Sequence, residues 1–126
     1  MENHFYSIGR LSAFCGAVSA GAGAGAGIAY LQGADVEAIS HTVANALATT
    51  GGIVCDGAKA SCASKIATAV EAGILGYNMH IRNQSFLPDD GLVGDTPEET
   101  IANIGRLGKQ GMKQTNEEII KIMVGE

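Results

Sequence analysis

Seven residues in a row, Gly21 to Gly27, alternate glycine with alanine inside the longer run CGAVSAGAGAGAGIAYLQG. No other stretch restricts the fold as much, because it offers no side chain larger than a methyl group. A helix here loses up to about 1 kcal/mol of propensity at each glycine. It forms only if another backbone lies against it and makes use of the missing side chains. The competing form is a silk-like strand. Ile8, Leu11, Cys15 and Val18 recur at three and four residues just upstream, which predicts a helical face and favours the first form.

The rest of the chain also reads as helix. Asp35 is a good N-cap for a helix whose apolar stripe is Val36, Ile39, Val43 and Leu47. Thr49–Gly52 ends it, and Asp56 is a candidate cap for the next. That next helix is expected over about Lys59–Tyr77, with Cys62, Ile66, Val70 and Ile74 turned inward. From Arg82 to Asp95 the pattern is lost, and Pro88, Gly91 and Gly94 mark a structured loop. Asp89 and Asp90 belong to a turn there. Thr96–Glu99 is a capping box with Pro97 in the first helical position, followed by Ile101, Ile104 and Leu107 on the buried side. A second box, Thr115–Glu118, is expected to open a short final helix carrying Ile119, Ile120 and Met123. The predicted class is all-α: one compact helical domain over 1–126, with close-packed helices rich in Gly and Ala.

Composition removes several functions. The 126 residues carry a net charge of −5 and no Lys/Arg run able to neutralise a phosphate backbone, so nucleic acid is not an expected partner. The apolar run Ala13–Leu31 is mostly Gly and Ala, with too little apolar surface to drive membrane insertion. The first 20 residues lack the basic start and apolar centre of a signal peptide. Three cysteines cannot all pair within one chain, which points to a reducing, cytoplasmic setting.

Those cysteines admit more than one reading. Each could be a small buried hydrophobe. A structural zinc site wants short pairs such as C-x2-C, and a redox dithiol wants C-x-x-C; the chain has neither. Three thiolates could instead hold three corners of a [4Fe–4S] cluster and leave one iron open as a Lewis acid. Cys55 and Cys62 bracket a helix start, where free N–H groups and the positive end of the dipole favour an anionic group. Gly16, Gly51, Gly52 and Gly57 would let backbone approach closely. His41 reads as a partly buried structural histidine, and His4 and His80 have no partner in sequence. GAGAGAG is not a phosphate loop, since it lacks the G-x-G-x-x-G spacing.

The pair CGAVSAGAGAGAGIAYLQG and GGIVCDGAKASCASKIATAVEAG, with the ending TNEEIIKIMVGE, resembles the C-terminal part of the cysteine desulfidase family. That family is related to the α-chain of the bacterial iron–sulfur L-serine dehydratases. The resemblance implies that Cys15, Cys55 and Cys62 ligate a [4Fe–4S] cluster. It also implies α,β-elimination on a small L-amino acid: cysteine to pyruvate, ammonia and sulfide, or serine to pyruvate and ammonia. Lys59, between two of the ligands, is either a solvated first-turn lysine or a partner for the substrate carboxylate. Family members are considerably longer and place the proposed base and much of the pocket upstream. The chain is therefore expected to be a fragment, a truncated product or one half of a split enzyme, inactive by itself. It would need the missing upstream half or a partner chain, and homo-oligomerisation is left open. A helical packing or oligomerisation module with structural cysteines is the alternative. The cluster reading requires the three sulfurs to meet near the start of the Lys59–Tyr77 helix.

Overall fold

A computed structural model describes residues 12–126 of the chain. Five α-helices follow one another: α1 (Gly16–Leu31), α2 (Val36–Thr50), α3 (Ser61–Ile81), α4 (Pro97–Arg106) and α5 (Lys113–Val124). A π-helical turn, Leu107–Gly111, joins the last two. The described residues contain no named strand, only an isolated antiparallel bridge between Phe14 and Val54. Ile8 and Leu11 lie outside the described residues. Cys15 is extended (φ −78°, ψ 123°) and caps α1 rather than lying within a helix.

The Gly/Ala run is helical, and α3 is the backbone against it. A Cβ built on Gly25 would stand 2.6 Å from the Cα of Gly73, and one on Gly21 would stand 2.6 Å from the Cβ of Ala69. Contacts advance together along both helices, so α1 and α3 run parallel. The α2 helix completes the layer: a Cβ on Gly76 would stand 2.8 Å from the carbonyl oxygen of Thr42.

Close backbone approach overturns the expected inner face of α3. Its buried residues are Ala69, Ala72, Gly73 and Gly76, while Ile66 and Ile74 are exposed. Side chains as large as isoleucine cannot enter a contact made at Cα distance. In α2, Val43 and Leu47 are buried as expected, but Val36 at the first turn is exposed. The apolar core lies between α1, α2 and α4, where Val18, Ala22, Val43, Leu47 and Ile104 meet.

Polar groups fix the connections. Asp35 Oδ1 accepts from the Ala38 N–H at 2.8 Å, and Thr96 Oγ1 from the Glu99 N–H at 3.1 Å, so both predicted caps form. Buried Asn45 donates to the Gly76 carbonyl and accepts from the Phe86 N–H, both at 3.0 Å, which pins the loop after α3. The second predicted capping box does not form, because Thr115 lies inside α5. The Met112 N–H reaches back to the Leu107 carbonyl, so the chain enters α5 through continuous turns with little free helix end to cap. Asp56 does not cap α3 either; it accepts from Lys65.

Candidate functional site

The extended segment Ala13–Cys15 pairs with Ile53–Cys55. The Cys15 N–H donates to the Ile53 carbonyl at 3.2 Å and the Cys55 N–H to the Ala13 carbonyl at 2.5 Å, on either side of the Phe14–Val54 bridge. Extended backbone alternates its side chains, so Cys15 and Cys55 fall on the same face of this short ladder as diagonal neighbours. Such neighbours stand roughly 7–8 Å apart. The two cysteines are distant in sequence and adjacent in the fold.

Cys62 reaches the same end of the molecule along α3. It is the second residue of that helix. The parallel register that matches Gly21 with Ala69 and Gly25 with Gly73 puts Cys15 level with Cys62 and Ala63. The N-termini of α1 and α3 therefore face the same end, and both positive helix ends lie there. Cys62 Sγ accepts from the Lys59 N–H at 3.4 Å and lies 3.5 Å from the Gly57 carbonyl, to which its S–H donates.

Lys65, one turn further along α3, ties the pieces together. Its Nζ donates to the Val54 carbonyl at 2.8 Å and to Asp56 Oδ1 at 2.7 Å. The hydrogen bond to Asp56 holds the ammonium above the ordinary lysine range, against the cost of its burial, and the Asp56 charge adds to the rise. The same hydrogen bond and charge hold Asp56 below the ordinary carboxylate range. Lys65 was not among the residues the sequence singled out. Its only signal was its position three residues after Cys62, on the same side of a helix.

All three cysteines are free thiols: Cys15 buried, Cys62 half-buried, Cys55 exposed. Burial in the core suits Cys15 as a small hydrophobe, but exposure does not suit Cys55 in that role. Among the described residues no three His, Cys, Asp or Glu side chains gather closely enough to hold a single metal ion. A cubane carries its protein ligands on separate irons, so its thiolates do not meet at one point. The donor set fits such a group: three thiols at one end, two helix N-termini and one ammonium. Gly57 shapes the intervening loop at φ +98°, with the Met123 methyl 3.2 Å from where its Cβ would be.

Lys59 is exposed, and its backbone N–H rather than its ammonium meets Cys62. His41 stacks on His80 with ring centroids 5.0 Å apart. His80 lies in the last turn of α3, about 27 Å along the helix from Cys62, so this pair takes no part in the cysteine site. His4 lies outside the described residues.

Comparison with known proteins adds three findings. The family described as "Serine dehydratase alpha chain" matches residues 5–121. A UPF0597 protein of Desulfitobacterium hafniense is 61% identical over 94% of this chain and 28% of its own length. UPF0597 proteins of Lachnoclostridium phytofermentans and Treponema denticola are 56% and 45% identical, each over 93% of this chain and 28% and 27% of theirs. The chain thus spans little more than a quarter of the length of the curated relatives it matches. No solved structure matches it.

Proposed function

Since the chain belongs to the serine dehydratase alpha-chain family, we propose that it is the cluster-holding part of an enzyme that eliminates across Cα–Cβ of a small L-amino acid. Cys15, Cys55 and Cys62 hold a [4Fe–4S] cluster. The observation that carries this reading is the parallel α1–α3 pair, which levels Cys15 with Cys62 while the Phe14–Val54 bridge sets Cys55 beside Cys15. When bound, such a cluster supplies a Lewis-acidic iron suited to a leaving hydroxyl or thiol.

The chain's own residues do the rest of the holding. The Lys65 ammonium offsets part of the negative charge gathered at the thiol site and keeps the Val54 segment against α3. Lys59, open to solvent beside Cys62, pairs with the substrate carboxylate. The reaction breaks Cα–H and the bond from Cβ to sulfur or oxygen. The aminoacrylate so formed hydrolyses to pyruvate and ammonia, with sulfide as the further product from cysteine. The group that takes the Cα proton belongs to the length that the relatives carry beyond the matched segment. Free thiols and an exposed cluster fit a reducing cytoplasm.

Anaerobic reconstitution with ferrous iron and sulfide tests the assignment. The wild-type chain takes up iron and gains a broad absorption at the blue end of the visible spectrum, and Cys55→Ala removes both. A wild-type chain that binds no iron under these conditions overturns the assignment and leaves a helical packing module with structural cysteines. In a full-length enzyme of the family carrying this segment, Lys59→Ala raises KM about tenfold, a loss of about 1.4 kcal/mol, with kcat little changed.

A further inference from the structure

We propose that the outer faces of α1 and α3 form one docking surface for the polypeptide that the relatives carry beyond the matched segment. The surface stands on packing and composition, independently of the cluster.

The α1 helix, GAVSAGAGAGAGIAYL, contains no charged residue. One side is spent on α3 and the core, and the other offers water mostly Gly, Ala and apolar side chains, with Ser19 partly exposed among them, ending at Tyr30 and Leu31, which are 71% and 81% exposed. A helix that is apolar all round is ordinarily buried in a larger protein or a membrane. No helix among the described residues is long and apolar enough to cross a membrane.

On α3, Ile66, Val70, Ile74, Tyr77 and Ile81 recur at four, four, three and four residues, which puts them on one side of the helix. Ile66 is 50%, Ile74 41% and Ile81 59% exposed. This stripe runs beside the Ala69–Gly73 line that seats α1. Together the two helices present a continuous apolar face from the cysteine end to the Leu31–Ile81 end.

The occupant follows from length and continuity. The Desulfitobacterium hafniense relative is matched over only 28% of its own length, so most of its polypeptide packs outside this segment. The stripe starts next to Cys62. The polypeptide that covers Ile66 and Val70 also closes over the exposed end of the thiol site.

The test places Ile66→Glu with Ile74→Glu in this chain and, at the matched positions, in the full-length relative. In this chain the pair shifts the melting temperature by no more than about 2 °C, because both side chains are half open to water. In the full-length relative it lowers the melting temperature by about 10 °C or more. Valine at both matched positions leaves the relative intact. A relative that yields soluble protein with valine but none with glutamate is the same result at its limit. The proposal is overturned if the full-length relative tolerates both charges. It is equally overturned if this chain loses as much stability as the relative, or if light scattering shows a homodimer of this chain that the two charges disperse, since the face then belongs to its own core or to a second copy.

Discussion

Gly23 and Gly25 sit two residues apart on α1 and answer to different constraints. A Cβ at Gly25 meets the α3 backbone at 2.6 Å, whereas one at Gly23 meets nothing within 4 Å. Gly25→Ala should therefore destabilise the chain by about 3 kcal/mol through overpacking. Gly23→Ala should stabilise it by about 0.5–1 kcal/mol, because alanine loses less backbone freedom on forming helix. Urea unfolding of the two variants checks both signs, and equal effects would contradict the close α1–α3 contact. At this scale the sequence revealed which residues were unusual but not their neighbours. Cys62 was legible as a first-turn residue because its position follows from the helix start. Lys65 was not, since its importance depends on the Val54 carbonyl and the Asp56 carboxylate, which approach only once α3 has packed.

Individual elements show the same division. The caps at Asp35 and Thr96 were legible because an N-cap bond spans three residues and needs nothing from elsewhere. The Thr115 box was misleading because the π-helical turn feeds α5 from behind. The tie between the Val54 segment and α3 is sensitive to pH at both limits. Asp56 is depressed below its ordinary value of 3.8, so its contribution is present above that value and is lost as the pH falls through the lower folded one. Lys65 is raised above 10.5, so its contribution is present below that value and is lost as the pH rises through the higher folded one. Asp56→Asn should flatten the acid limb of a melting-temperature profile and leave the midrange value lower. An unchanged acid limb would count against the tie. Asn45→Ala should cost about 1–3 kcal/mol by stranding a buried backbone donor and acceptor. Hydrogen exchange should then quicken at Phe86 before it does in α2.

Across the described residues, the helices set the thiol site at one end and an exposed apolar face along one side. A cluster that binds the folded chain alone should stabilise it, by about 2.7 kcal/mol at a hundredfold excess over its dissociation constant. The melting temperature should rise on anaerobic loading and stay flat in Cys62→Ala. The sequence by itself determined an all-helical chain, two of its caps, a glycine-lined helix that demands a backbone partner, and the three cysteines worth following. Those features arise from hydrogen bonds and propensities acting within a few residues. Only the tertiary structure decided that α3 buries Ala69 and Gly73 instead of Ile66 and Ile74, that Cys55 pairs alongside Cys15, and that Lys65 joins them. Where backbones touch, small residues go inside, and hydrophobicity no longer marks the buried face.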